Sequence, residues 1–396
     1  MSRYFQEMTT NNLYGIDVER YCNDRTFSSS GKIFSDFCST NYLGIDYREE
    51  LFTASADFLR QWGSLTQWAR LEADCNIFKQ LESMIGEMLG YSKVLLSHTI
   101  SNSCTSNIPT IVGRNALMIC DTYLHPVVKT GCKLASLKNS QIVKFDVDNL
   151  NHLESILKEN ESIERKFIFV DGVHSLGRYI APITELQYLC QKYNSWLFVD
   201  DAHGFGILGE NPSSSNPWGL GGGGVIKFAG GNSHRTFYTS SFGKAFCTHT
   251  AFTAIPDEYE NNISIDADHY VYSAPISPSL VGMVHAALKI NAQTGDAIRQ
   301  DLHAKIRHFV EGLAQLNIPY YSVNNHPAIH VICGKIENVY RWNTILLGHG
   351  VFAGIRVFPL TPKNESGFRF AITATNTYEQ LDNALKALSL CCSEQF

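Results

Sequence analysis

Short apolar runs rich in β-branched and aromatic residues alternate along this chain with stretches of helical apolar spacing. Residues 33–38 alternate apolar and polar as a strand does, and Asn41-Tyr-Leu-Gly44 follows as a turn. Between residues 71 and 89 the side chains of Ile77, Phe78, Leu81, Ile85, Met88 and Leu89 recur on one helical face, which predicts an amphipathic helix. Residues 94–96, 116–120, 141–145, 167–170 and 196–199 then form short strand-like runs with helix-length segments between them. Strands that read as continuous apolar runs are buried on both faces. The alternation therefore predicts an α/β fold with a mostly parallel central sheet covered by helices on both sides.

Two stretches break the alternation. Residues 212–231 are rich in Ser, Pro and Gly and include Gly221-Gly-Gly-Gly224. With no G-x-x-x-x-G-K-[ST] pattern they read as a flexible surface loop and not as a phosphate cradle. The opening residues are polar and read as an arm or a short helix around residues 18–21. Near Pro275 to Pro278 the chain is expected to cross to a second domain, with helical spacing over 298–316, a strand at 328–332 and a helix over 336–347. A last helix is expected to start at Thr377, whose spacing to Gln380 is that of a capping box. The expected division is an arm over 1–45, a large domain over 46–285 and a smaller α+β domain over 286–396.

Composition narrows the function classes. The chain has 396 residues, 44% apolar and 18% charged, as an ordinary globular protein with a substantial core does. A net charge of −6 with no long basic cluster argues against a nucleic-acid-binding face. The eleven cysteines include no C-x-x-C, and the close pair Cys247-Thr-His249 has no further metal ligands beside it. They read as reduced thiols, which together with an opening that lacks an apolar signal region leads us to expect a cytoplasmic protein. No apolar run approaches the ~20 residues of a membrane span. Neither H-E-x-x-H nor G-x-S-x-G occurs.

The candidate chemistry lies in two stretches. The apolar strand Trp196-Leu-Phe-Val199 delivers Asp200 and His203 at its carboxyl end, where open α/β sheets place ligands. Lys244 follows a second strand-like run, 236–239, in a small polar loop. A lysine held near a buried acid is the pairing that pyridoxal phosphate chemistry needs: an amine for a Schiff base and a partner for the pyridinium nitrogen.

Six motifs then occur in a recognisable order: Asn41-Tyr-Leu-Gly44, Asp121-x3-His125, Asp171-Gly-Val-His-Ser175, Asp200-Asp-Ala-His203, Ser241-Phe-Gly-Lys244 and Gly367-Phe-Arg369. In this order, from about residue 35 to the end, the chain resembles the α-oxoamine synthases. These are fold-type I pyridoxal-phosphate enzymes that condense an amino acid with an acyl thioester, most of them with loss of carbon dioxide.

The resemblance implies a role for each matching residue. Lys244 is implied as the Schiff-base lysine that later moves the Cα proton, and Asp200 as the carboxylate on the pyridine nitrogen. His203 matches the partner of the cofactor's phenolic oxygen, His125 the histidine stacked on the ring, and Ser175 a serine close to the cofactor oxygen. Ser241, with the backbone at His98 and Thr99, matches the phosphate site. Ser273 matches a serine that reaches the phosphate of a neighbouring subunit, which implies a homodimer with shared active sites. Arg369 and Asn41 match the substrate-facing positions, Arg369 as the clamp on the amino-acid carboxylate.

The chain also departs from the family pattern. Thr40 stands where the family's first asparagine lies, and His98-Thr99 replace a glycine or aromatic. Leu176-Gly177-Arg178 replace an Asp-Gly pair, His174 stands at an aromatic position, and Asn376 where a histidine is expected. The cofactor set is intact while the substrate set has drifted. This points to an unusual amino or acyl substrate, carried by coenzyme A or an acyl-carrier protein. An aminotransferase of the same fold, or a non-catalytic binding protein on it, are the competing readings.

Overall fold

A computed structural model describes residues 6, 8–9, 13–66 and 68–393. The chain divides into two compact units. The larger comprises Ile45–Ser175 and Tyr179–Asp296; the smaller comprises Met1–Gly44, Leu176–Arg178 and Ala297–Phe396. Strands β1 (Arg20–Tyr21), β2 (Thr26–Ser29) and β3 (Lys32–Phe37) belong to the smaller unit. The larger unit holds β4 (Lys93–Ser97), β5 (Leu117–Asp121), β6 (Gln141–Phe145), β7 (Lys166–Asp171), β8 (Trp196–Asp200), β9 (Thr236–Ser241) and β10 (Ala251–Ile255). Strands β11 (Tyr320–Tyr321), β12 (Ala328–Gly334), β13 (Val351–Arg356) and β14 (Ser366–Ala371) complete the smaller unit.

The large sheet has the order β4-β10-β9-β8-β7-β5-β6. From β6 to β9 every neighbouring pair is parallel, and only β10 runs antiparallel, to β9 and β4. The chain leaves β5 for β6 on one side and reaches β7 on the other, which makes the β5–β7 boundary a topological switch point. Ligands of such sheets bind outside the carboxyl ends of the strands there. β5 and β7 are buried along their whole length, and Phe167, Phe169, Phe198 and Phe237 line one core with Ile108, Ile111 and Val128 from the covering helices. Burial on both faces is what made these strands read as unbroken apolar runs.

The smaller unit's sheet has the order β1-β2-β3-β13-β14-β12-β11. Helices Ile336–Gly348 and Tyr378–Ser393 pack beside it. The second starts with the expected capping box: Gln380 N–H donates to Thr377 Oγ1 at 3.2 Å, and Thr377 N–H donates to Gln380 Oε1 at 3.1 Å.

Four expectations are corrected. Residues 18–21 are not helical: Arg20 and Tyr21 form β1, paired with Ser28 and Phe27. The helix expected from residue 71 starts at Asn76, because Arg70 is held by Asp74 and Glu82 and fixes the preceding segment as a turn. The helix expected from residue 298 starts at Pro278 and runs unbroken to Gln315, with its residues up to Asp296 assigned to the larger unit and those from Ala297 to the smaller. The segment 212–231 is not uniformly a surface loop. Its residues 222–226 are buried and include a short helix, Val225–Phe228.

Candidate active site

Each of three neighbouring parallel strands ends in an aspartate: Asp121 on β5, Asp171 on β7 and Asp200 on β8. Asp121 is a buried brace. It accepts from Tyr123 N–H and Val147 N–H at 3.1 Å and from the Tyr179 hydroxyl at 2.6 Å. Asp171 accepts from His125 N–H at 3.1 Å, and so fixes the turn that carries His125. The His125 ring is fixed in turn, since its Nδ1 accepts from Val127 N–H at 3.3 Å as the cap of helix Pro126–Ser136. The proton of that imidazole is then on Nε2.

Burial, reinforced by Asp200 beside it, pushes the Asp171 carboxyl well above its ordinary range, with Lys244 opposing. Asp200 accepts from Ala202 N–H at 3.1 Å, and His203 follows on the same tight turn. His125, Ser175, Asp200, His203 and Lys244 all line one pocket together with Asp171. Sequence reasoning placed five residues here from four separate segments, and the fold brings them together.

Packing explains how Lys244 is presented. Its loop is anchored by Phe242 and Phe246, both fully buried, whose rings lie 5.3 and 4.9 Å from that of Phe205. Phe205 sits two residues beyond His203, so one aromatic cluster ties the lysine loop to the Asp200–His203 turn. Ser241 holds the loop's neck: its hydroxyl accepts from Gly243 N–H at 3.0 Å and donates to Thr250 O at 3.3 Å.

The remaining predicted cofactor residues are placed differently. Thr99 caps the helical stretch that begins at Ile100, accepting from Asn102 N–H at 3.1 Å. His98 and Ser273 line a second pocket with His269 and Tyr270. The His98 imidazole is lowered in pKa, chiefly by burial. His269 is pushed down to about 4 by burial and by His98, and its Nε2 meets the Ser97 hydroxyl at 3.1 Å.

Arg369 and Asn41 lie in the smaller unit. Arg369 is central on β14, opposite Gly354 of β13 and His330 of β12. Asn41 starts a turn closed by Gly44 N–H donating to its carbonyl at 2.8 Å. Gly44 has φ +62° and lies under Thr375, where a Cβ would come within 2.7 Å of a methyl group; no other residue fits. One residue of this region went unpredicted. Arg356, at the end of β13, is lowered to about 10 by burial and by the charge of Arg369. Two guanidiniums on one face of the paired strands suit an anion such as a carboxylate. The signal was the strand alternation, which puts residue 356 on the same face as 369 once β13 and β14 are paired.

The departures from the family pattern have structural explanations. His174 packs between Tyr123 and Tyr179, at 5.9 and 5.1 Å, doing the work of an aromatic. Arg178 pairs with Glu365 and lies 4.5 Å over the Tyr321 ring, a bracket within the smaller unit. Asn376 accepts from Thr373 N–H at 2.8 Å and Thr373 Oγ1 at 2.9 Å and donates to Gln380 Oε1 at 3.1 Å, as part of the last helix's cap.

The donor set of the first pocket fits pyridoxal phosphate. An amine can take its aldehyde, and a buried carboxyl at a strand end can take its ring nitrogen. Two imidazoles and a hydroxyl suit its ring face and phenolic oxygen. Among the described residues no group of three or more His, Cys, Asp or Glu side chains is arranged to hold a metal. No described helix is long and apolar enough to cross a membrane.

The aminotransferase class I and II family matches residues 79–388, and the chain belongs to it. An 8-amino-7-oxononanoate synthase of Alkaliphilus metalliredigens is 27% identical over 384 residues, covering 96% of this chain and 93% of that protein. Serine palmitoyltransferase of Sphingomonas wittichii superposes with a TM-score of 0.87 at 22% identity, covering 99% and 96% of the two chains. An SPT solved with PLP gives the same TM-score at 20% identity, covering 98% and 95%. With the motif order these relatives place the chain among the α-oxoamine synthases, fold-type I enzymes whose cofactor is pyridoxal phosphate.

Proposed function

We propose that the protein is an acyltransferase that condenses an amino acid with an acyl thioester, releasing the thiol and carbon dioxide and forming an α-aminoketone. The observation that supports this most directly is the half-buried Lys244 sharing one pocket with Asp200, His203 and His125 at the carboxyl end of the parallel strands. Bound pyridoxal phosphate supplies an aldehyde that links amines and a cationic ring that accepts an electron pair from Cα.

In this reading the protein's own groups divide the work. Lys244 holds the cofactor and later takes the Cα proton. The aromatic anchors Phe242 and Phe246 hold its amine in reach of the pocket. Asp200 keeps the ring nitrogen protonated, and Asp171, itself protonated, leaves that charge to Asp200. The His125 Nε2–H, with its ring fixed by Val127, covers the ring face, while His203 and Ser175 serve the phenolic oxygen. Ser241 and the backbone at His98 and Thr99 serve the phosphate. Arg369, paired with Arg356, clamps the amino-acid carboxylate, and Asn41 stands near the substrate. Ser273 reaches a neighbouring subunit's phosphate, which makes the working unit a homodimer, and we expect it in the cytoplasm.

The test is thiol release across a panel of amino acids and acyl thioesters, on both coenzyme A and an acyl-carrier protein. Wild type releases thiol only with its amino acid, while Lys244→Ala releases none. Half-transamination without thiol release would replace this reading with an aminotransferase. No visible absorbance after adding pyridoxal phosphate would replace it with a binding protein.

A further inference from the structure

We propose that Asp201 is a positioning residue for the cofactor pocket: three glycine-bearing segments converge on its buried carboxylate, which anchors two of them and thereby fixes Asp200 and His203. The inference rests on the proposed function in that the pocket it orders is the one assigned above to pyridoxal phosphate.

Asp201 is fully buried, and three donors from three parts of the chain converge on its side chain. Oδ2 accepts from Val225 N–H and from the Tyr238 hydroxyl, both at 2.7 Å, and Oδ1 accepts from Gly204 N–H at 3.2 Å. The backbone of Asp201 ties in a further element: its N–H donates to Thr239 O at 2.9 Å, and its carbonyl accepts from Ser240 Oγ at 3.1 Å. One residue thus joins the ends of β8 and β9, the turn carrying His203 and the buried part of the glycine-rich segment.

The glycines show how closely these segments converge. A Cβ on Gly172, the residue after Asp171, would lie 2.5 Å from Oδ1. On Gly204, the residue after His203, it would lie 2.3 Å from the same atom, and on Gly224 it would lie 2.4 Å from Oδ2. Contacts this short are not made by real Cβ atoms, so the three segments approach the carboxylate only because they carry none. Two of these glycines adjoin pocket residues, which is how an anchor behind the site sets what faces into it. The glycine run has a mechanical part and is not a lid: Gly221 is held by Asp296 and Asn291, while Gly224 N–H donates to Leu208 O and its carbonyl accepts from Phe228 N–H.

Charge supports the same assignment. Burial raises the Asp201 carboxyl to about 7, and Asp200 adds to the rise, while Val225 N–H and Tyr238 oppose it. The ionisable groups around it are Asp200 on its own strand end and Tyr238 on β9, with Tyr91 facing Tyr238. An anion at Asp201 favours a cation held by Asp200, and a cation there favours the Asp201 anion.

The experiment is Asp201→Asn and Tyr238→Phe in the full-length holoenzyme. The readouts are pyridoxal phosphate dissociation by equilibrium dialysis, the pH midpoint of the bound cofactor's visible band, and the thermal midpoint of folding. An asparagine oxygen can serve Val225 and Tyr238, but its NH2 then faces Gly204 N–H, so the damage falls on the turn beside His203. Asp201→Asn is expected to weaken cofactor binding about tenfold and to move the band's midpoint down by about one pH unit, since an anion near the site is lost. Tyr238→Phe keeps the carboxylate and should weaken binding about threefold. A folded Asp201→Asn with wild-type dissociation and midpoint overturns the proposal. So does one whose thermal midpoint falls while both cofactor readouts stand still, the mark of a merely structural residue. If Asp201→Asn does not fold, an unchanged Tyr238→Phe overturns it. Failure of wild type itself to show a visible band would instead sink the proposed function.

Discussion

Asp171 and Asp200 stand opposite each other, in register, at the carboxyl ends of two adjacent parallel strands, and both are buried. Two carboxyls so placed cannot both ionise without a cation between or beside them, and the Asp171 carboxyl is the one pushed well up. Substituting the two should therefore have unequal results. Asp171→Asn resembles the protonated acid, and its oxygen can still accept from His125 N–H, so thiol release should stay within about threefold of wild type. Asp200→Asn removes the charge that keeps the cofactor nitrogen protonated and should slow the reaction by about a hundredfold or more, with a smaller loss of cofactor affinity. Equal losses from both, measured as thiol release at saturating cofactor, would refute the division of labour.

Arg356 and Arg369 make a second paired relationship, of like charge. Burial and the neighbouring guanidinium lower Arg356 to about 10, so an anion bound on this face would favour its charged form. Arg356→Gln should raise KM for the amino acid about tenfold or more while leaving the thermal midpoint of the ligand-free protein equal to or above wild type. Arg369→Gln should raise KM at least as much. An Arg356→Gln protein that melts lower and keeps its KM would make Arg356 a structural residue.

These pairs also show what the sequence makes legible. β5, β7 and β8 were readable because burial on both faces leaves an unbroken apolar run, and Asp200 and Lys244 because each closes such a run. Arg356 was hidden because its partner is 13 positions away and meets it only through the β13–β14 register. The sequence reading places a domain crossing at Pro275 to Pro278 and so shortens the helix Pro278–Gln315, whose single proline sits at the first position, where proline is tolerated. The glycine-rich segment misled for another reason. Composition registers freedom of the backbone, whereas these glycines supply absence of a Cβ, and the carboxylate that requires it lies about twenty residues earlier.

That distinction can be measured at two glycines three positions apart. Both have positive φ, +79° at Gly221 and +85° at Gly224, but nothing lies within 4 Å of a Cβ on the first. On the second a Cβ would lie 2.1 Å from the Tyr238 hydroxyl oxygen. Gly221→Ala should cost about 1–2 kcal/mol, the strain of an L-residue in that region alone. Gly224→Ala should cost about 3 kcal/mol or more, because the backbone must also move off Asp201. Urea midpoints of the two variants decide it, and equal costs would mean that Gly224 is needed only for its φ.

In the smaller unit, His330 predicts how stability depends on pH. Its ring is fully buried on β12, donates from Nε2 to Glu365 O at 2.9 Å, and is pushed down to about 4, chiefly by burial. The folded state therefore keeps this imidazole neutral at pH values where the unfolded chain protonates it at about 6.5. With the folded value below the unfolded one, stability is fully present above about pH 6.5, declines as the pH falls below it, and has lost this contribution below about pH 4. The span corresponds to about 3 kcal/mol. His330→Gln can still donate to Glu365 O and does not titrate. The difference in urea stability between wild type and this variant should thus shrink or reverse between about pH 7 and about pH 4. A difference that stays flat over that interval would show that His330 titrates in the folded protein as it does in the unfolded chain, and that burial on β12 does not hold it neutral.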